Sequence, residues 1–218
     1  MGLRAGMVIL LSFVSLIVFP TDPAQRHAPP ANVHEALVSA ADVFQYPLAT
    51  WAPHCLGFGS QWRYCNGTPL RSCGSAVWLH TGTDVVASVG EPVMAAGDGV
   101  ILGYLVDPTF RGGILIRHQT TAGVLITQYW HVWPRAGFGV GSSVSRGQVF
   151  AEIADMGSRT HFHFAVFNGD MEPHAWNGAL PPSPCAGFPA FPYRFIDPTA
   201  FVEQHQPSVR LARGIRVL

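Results

Sequence analysis

Residues 160–167 form a run of aromatic and β-branched side chains that is typical of a β-strand. The run contains His161 and His163. Because alternate residues of a strand share one face, both imidazoles are predicted to point the same way, with their backbones roughly 6 to 7 Å apart. One of them can bind a metal while the other reaches a substrate oxygen or a water. The sequence lacks the helical spacing of zinc histidines, His-Glu-x-x-His.

A second β-prone run covers residues 124–131. Its period of two predicts that Thr127, Tyr129 and His131 lie on one face of the strand. Cross-strand packing in a sheet would account for Tyr129 and His131 taken by themselves. Together with the histidines of the first run, His131 becomes a candidate acid or base.

A third motif, residues 80–84, reads His-Thr-Gly-Thr-Asp. The spacing of His80 and Asp84 would suit one face of a helix, but Gly82 and the β-branched neighbours favour a strand entered through a turn. With residues 161–163, this motif supplies two imidazoles and a carboxylate for one zinc ion. Three protein ligands leave one coordination position open, and this is typical of a catalytic rather than a structural zinc site.

The three motifs resemble those of the lysostaphin-type, LytM-like zinc endopeptidases, which cut peptidoglycan cross-bridges. That family carries His-x-Gly-x-Asp, Tyr-x-His and His-x-His in the order found here, and the resemblance runs from about residue 78 to residue 167. It implies that one zinc ion per chain is bound by His80, Asp84 and His163.

The resemblance also implies that His131 and His161 act in catalysis without binding the metal, and that Tyr129 contacts the substrate. The expected fold is all-β, with antiparallel sheets forming a groove and with long loops. The expected reaction is hydrolysis of peptide bonds in peptidoglycan. Ala165 departs from the family, which often has glutamate there. A catalytically inactive module that regulates other wall hydrolases, and a zinc peptidase that cuts proteins, are the alternatives.

Composition narrows the classes of function. The formal net charge is zero, so nothing favours a nucleic acid as partner. All 13 basic residues are arginine, and the absence of lysine excludes a biotinyl or lipoyl carrier, which must acylate one. The 218 residues suffice for one core of ordinary size. We expect an N-terminal segment over 31–72, a zinc peptidase domain over 73–201 and a C-terminal tail over 202–218.

Residues 1–30 predict an export signal or a membrane anchor. Arg4 precedes an apolar run over residues 7–19, and this run is shorter than the about 20 residues that a membrane span needs. The protein is therefore expected to act outside the cytoplasm, either secreted, periplasmic or anchored to the cell envelope. The sequence does not indicate an oligomeric state.

Four cysteines in an exported chain predict two disulfides. Three pairings are formally possible, and each of them ties Cys185 to the segment that contains Cys55, Cys65 and Cys73. The C-terminal part of the chain should therefore fold back beside the start of the domain.

The other segments carry weaker signals. Residues 33–43 predict a short amphipathic helix, and residues 44–48 resemble a strand. Residues 168–196 form an aromatic, proline-rich segment that either covers the sheet or lines a groove. His118 shares a predicted strand face with two isoleucines and is interpreted as structural. The sequence indicates no role for His54.

Overall fold

The computed structural model describes residues 42–70, 73–172 and 178–206. The export or anchor segment predicted at residues 1–30 lies outside the described residues. The helix predicted at residues 33–43 also lies outside them, except for its last two positions, which have irregular backbone. In the described part of the chain, no helix is long and apolar enough to cross a membrane.

The described residues are dominated by antiparallel β-strands, so the all-β prediction is confirmed. The strands are β1 (Leu79–His80), β2 (Thr83–Val85), β3 (Pro92–Met94), β4 (Gly99–Asp107), β5 (Arg111–Thr120), β6 (Gly123–Trp130), β7 (Val132–Pro134), β8 (Ser143–Val144), β9 (Val149–Ile153), β10 (Phe162–Asn168), β11 (Ala179–Leu180) and β12 (Phe195–Ile196). A 3-10 turn spans Gly157–Arg159, and the helix α1 spans Pro198–His205.

Among these strands, seven form the main sheet, in the order β12-β10-β6-β5-β4-β8, with β2 also paired to β10. Strands β3, β9 and β7 form a second sheet, and β1 pairs with β11. Strand β10 is bordered by β6 on one side and by β2 and β12 on the other. His163 on β10 therefore lies opposite Asp84 of β2 and opposite Trp130 of β6.

The two faces of β10 serve different purposes, because successive side chains of a strand point to opposite faces. Phe162, Phe164 and Val166 belong to the main hydrophobic core, which also contains residues of the second sheet. Ala165 and Phe167 belong to a smaller cluster on the opposite face. His163 has the parity of this second set, so it points away from the main core. Ala165, the departure from the family pattern, is fully buried.

Helix α1 begins with a well-formed N-terminus. The carboxylate of Asp197 accepts hydrogen bonds from the backbone N–H groups of Thr199 and Ala200, and Pro198 occupies the first turn. Phe201 and Val202 then pack into the main core. The helix continues across residue 201, where we expected the domain to end and the tail to begin.

The strand predicted at residues 44–48 is wrong, because this stretch has irregular backbone. Phe44 and Leu48 are nevertheless buried in the main core, so the apolar pattern reflects burial and not a ladder of hydrogen bonds. Residues 178–196 cover the second face of the sheet. Leu180 and Phe195 of this segment pack in the cluster of Phe167.

Two disulfides join the four cysteines, Cys55 to Cys65 and Cys73 to Cys185. The second bond confirms that Cys185 is tied to the segment that precedes the first motif. His118 is fully buried beside the Phe44 ring, as its structural interpretation requires.

Candidate active site

Three buried side chains from three strands converge at one end of the main sheet. His80 ends β1, Asp84 lies in β2 and His163 lies in β10. His80 Nε2 is 2.9 Å from His163 Nδ1, and Asp84 Oδ1 is 3.0 Å from His163 Nδ1 and 3.4 Å from His80 Nε2. The structure thus brings together the three residues that the sequence predicted as metal ligands, which we call the trio.

The spacing of these three atoms fits zinc. A tetrahedral zinc ion with ligand bonds of about 2.0 to 2.1 Å separates its ligand atoms by about 3.3 Å. The three separations in this site bracket that value, so small shifts of the side chains would place all three atoms at bonding distance from one zinc ion. Two imidazole nitrogens and a carboxylate oxygen also match the chemistry that zinc accepts. The residues therefore fit the metal that the motifs predict.

Hydrogen bonding prepares His80 to act as a ligand. Its Nδ1 lies 3.3 Å from the carbonyl oxygen of Gly57. Because a carbonyl oxygen can only accept, Nδ1 must carry the proton, and in the neutral imidazole this leaves the lone pair on Nε2, the atom that faces Asp84 and His163. A partner of this kind fixes both the tautomer and the orientation of a metal-binding histidine.

The electrostatics of the site favour a charged carboxylate at Asp84 and a neutral imidazole at His163. Burial by itself raises the pKa of Asp84, but the charge of His80 and a hydrogen bond from His163 outweigh it, so this pKa lies well below its ordinary value. Burial lowers the pKa of His163 to about 4, although the hydrogen bond to Asp84 opposes the shift. At neutral pH the site therefore presents a negatively charged oxygen of Asp84 to a cation, beside an uncharged His163.

Gly82 between His80 and Asp84 is required by space. A Cβ at this position would lie 2.4 Å from the carbonyl oxygen of Phe164 and 2.7 Å from Nε2 of His163. Ordinary Cβ contacts are 3.4 Å or longer. The glycine of the first motif therefore lets the turn between β1 and β2 pass directly against the strand that carries His163.

Residues 52–62, which we name the border segment, run beside both strands of the first motif. At β2, the N–H of His54 donates to the Asp84 carbonyl over 2.7 Å, and the N–H of Asp84 donates to the Leu56 carbonyl over 2.8 Å. At β1, the N–H of His80 donates to the Ser60 carbonyl over 2.9 Å. The segment thus fixes the backbone of two proposed ligands from outside the predicted peptidase domain.

His131 reaches the site by a local change of backbone direction. It follows the last residue of β6 with a φ of 66°, in the left-handed region that non-glycine residues seldom adopt. Its ring centroid lies 4.4 Å from that of His161 and 6.4 Å from that of His163. Its Nδ1 donates to the Phe110 carbonyl over 2.9 Å, which in the neutral ring leaves the lone pair on Nε2.

Burial, and next the charge of His161, lower the pKa of His131 to about 3. The imidazole is therefore neutral at neutral pH, and its Nε2 can accept a hydrogen bond. His161 immediately precedes β10, and its Nδ1 donates to the Arg159 carbonyl over 2.6 Å. Its Nε2 lies 3.5 Å from Asp84 Oδ2. In both histidines Nδ1 thus faces a backbone carbonyl, and in His161 Nε2 faces Asp84 of the trio.

The substrate-binding role predicted for Tyr129 is not supported by its position. Tyr129 is fully buried in the main core, and its hydroxyl accepts a hydrogen bond from the N–H of Ala96. It pairs with Phe164, whose side chain lies on the core face, whereas the neighbouring pair, Trp130 and His163, lies on the site face. The prediction that Tyr129 and His131 share a face is wrong because the left-handed backbone at His131 breaks the strand period.

Comparison with known proteins agrees with this geometry. Residues 79–174 match the sequence profile of peptidase family M23. A segment of 101 residues is 37% identical to the peptidoglycan DD-endopeptidase ShyC of Vibrio cholerae serotype O1, and it covers 45% of this chain and 22% of that relative. The matched part thus spans about a fifth of the relative's length.

Two solved structures with partial likeness to this chain are peptidases. A zinc-containing peptidase from Vibrio cholerae is 26% identical with a TM-score of 0.45, over 57% of this chain and 36% of that one. The antimicrobial peptidase lysostaphin from Staphylococcus simulans is 20% identical with a TM-score of 0.49, over 78% of this chain and 57% of that one. The segment that matches the M23 profile contains all five residues that we predicted as ligands or catalytic histidines.

Proposed function

We propose that this chain is an extracytoplasmic zinc metalloendopeptidase that hydrolyses peptide cross-links of peptidoglycan. The observation that carries the proposal is the convergence of His80, Asp84 and His163 at distances that suit one zinc ion, with His131 and His161 beside them. The peptidoglycan substrate is supported by the V. cholerae relative, which is a peptidoglycan DD-endopeptidase. An extracytoplasmic site of action is supported by the two disulfides.

One zinc ion per chain would be held by Nε2 of His80, Oδ1 of Asp84 and Nδ1 of His163. A zinc ion with three protein ligands makes water a nucleophile near neutral pH and polarises a carbonyl as a Lewis acid. The carboxylate of Asp84 would offset part of the metal charge, and the carbonyl of Gly57 keeps the His80 ring in position. Proton transfer during hydrolysis is then left to the residues beside the trio.

His131 is suited to accept a hydrogen bond at Nε2. Its Nδ1–H is held by the Phe110 carbonyl, so that Nε2 carries the lone pair and the ring cannot turn freely. His161 is anchored in the same way by the Arg159 carbonyl. When protonated, either ring can donate a hydrogen bond to the oxyanion of the tetrahedral intermediate or return the proton to the leaving amine. The two imidazoles therefore supply acid, base and oxyanion stabilisation without occupying the metal.

The experiment that tests this division combines metal content with turnover. Purified protein should contain about one zinc per chain, and it should release peptide fragments from purified peptidoglycan. Replacement of His80, Asp84 or His163 by alanine should remove both the zinc and the activity, because two protein ligands do not suffice to hold the ion.

His131→Ala and His161→Ala should keep the zinc but lose about a hundredfold or more in turnover, because each removes a proton-transfer or oxyanion partner. The proposed roles would be wrong if either variant lost its zinc, or if both cut peptidoglycan at the parental rate. Zinc-loaded wild-type protein that leaves peptidoglycan intact would favour a non-catalytic binding module.

A further inference from the structure

The border segment brings a fifth histidine to the site. His54 is exposed, and its ring lies nearly parallel to that of His161, with an interplanar angle of 11° and a centroid separation of 6.0 Å. Its backbone N–H donates to the carbonyl of Asp84 over 2.7 Å, so its position is fixed relative to a proposed ligand. Neither the family motifs nor the M23 match at residues 79–174 includes His54.

The direction of the His54 side chain follows from strand pairing. Pro53 lies opposite Val85, whose side chain belongs to the main core. Since successive side chains alternate between faces, His54 lies on the opposite face, as Asp84 does. His163, Asp84 and His54 thus lie side by side on the face that carries the proposed metal site.

The ring of His54 is held from one side only. Its Nδ1 lies 3.6 Å from Sγ of Cys65, and the disulfide from Cys65 to the adjacent Cys55 closes the loop that follows. Among the described residues, the ring makes no other hydrogen bond with a side chain or the backbone. The edge that carries Nε2 is therefore available to a ligand, next to His161 and outside the metal trio.

We propose that His54 positions the substrate, its Nε2 edge hydrogen-bonding to the main chain of the wall peptide beside the scissile bond. The inference rests on the proposed function. A peptide whose scissile carbonyl lies at the trio and which passes over His161 reaches His54 within one or two residues, because an extended chain advances about 3.3 Å per residue. His54 touches neither the trio's ligand atoms nor His131 in the contacts described above, so it acts on binding and not on the chemical step.

The test measures kcat and KM for cross-linked muropeptide dimers, released from purified peptidoglycan by a muramidase, together with zinc content. His54→Ala should raise KM about three- to tenfold, the effect of one lost hydrogen bond, while kcat stays within about twofold and zinc is unchanged. His54→Gln, which can still hydrogen-bond, should recover part of the loss. Arg63→Ala, an exposed residue of the same loop, is the control and should match wild type.

Each result bears on a different statement. An unchanged KM in His54→Ala, with active wild-type enzyme, would overturn the role of His54 and leave the proposed function standing. A fall in kcat or zinc content without a rise in KM would also overturn it, because such a result marks a structural effect on the site. Zinc-loaded wild-type protein that hydrolyses no dimer would overturn the proposed function and this inference with it.

Discussion

A methyl group at position 82 should disable the site although no proposed ligand is replaced. In Gly82→Ala, the new Cβ would lie 2.4 Å from the Phe164 carbonyl oxygen, 2.7 Å from Nε2 of His163 and 2.8 Å from its Cε1. None of these atoms belongs to the free end of a flexible side chain. The carbonyl is part of β10, and the His163 ring is packed between Asp84 and His80.

The size of the effect follows from these overlaps. Relief to an ordinary contact of 3.4 Å requires β10 and the turn after β1 to separate by up to about 1 Å. Zinc ligands tolerate deviations of about 0.2 Å. We therefore expect zinc affinity to fall at least tenfold, turnover to fall about a hundredfold, and the free energy of unfolding to fall by about 1 to 3 kcal/mol, as for other overpacked interiors.

Zinc affinity is measured by competition with a chromophoric chelator, and turnover by release of peptide fragments from peptidoglycan. Gly139→Ala is the matched control, because a Cβ at Gly139 meets nothing within 4 Å and its φ is not positive. It should bind zinc and turn over like wild type. If Gly82→Ala bound zinc and hydrolysed peptidoglycan as Gly139→Ala does, the steric explanation of the motif glycine would be refuted.

Two further predictions concern stability and oxidation. Burial lowers the pKa of His118 from 6.5 to about 4. Between these two pH values, His118 is protonated in the unfolded chain but not in the folded protein. Stability should thus fall on acidification across this window, with His118 contributing about 2 to 3 kcal/mol between pH 7.5 and pH 4.5. Urea unfolding should show a smaller loss in His118→Asn, and an equal loss in both proteins would contradict this. Denatured, unreduced protein from its natural compartment should show no reactive thiol, because Cys55–Cys65 and Cys73–Cys185 are bonded; four thiols on titration would disprove the pairing.

The sequence predicted strand β10 and the grouping of His80, Asp84 and His163 because both depend on local patterns. Alternation in residues 160–167 indicated β10, which the structure places at Phe162–Asn168. His80, Asp84 and His163 were identified by short motifs whose residue types have few other reasons to occur together. The tie of Cys185 to the first cysteines needed only the count and order of the cysteines.

The rest depends on features that leave no local pattern. A single left-handed residue, His131, reverses the face that the strand period assigns and separates it from Tyr129. The border segment bonds to β1 and β2 through backbone groups, which any sequence supplies, so His54 carried no signal beyond its residue type. The adjacent Cys55 was the one local hint that this stretch is held in place.

The border segment also shows that the folded structure around the site begins earlier in the chain than the family match does. A fragment that began at residue 79, where the M23 match begins, would keep all three proposed ligands. It would nevertheless open the outer edges of β1 and β2, whose backbone groups now bond to residues 52–62. Open strand edges pair readily with other chains. The segment before the motif thus protects the ligand strands from self-association, as well as supplying the Gly57 carbonyl that orients His80.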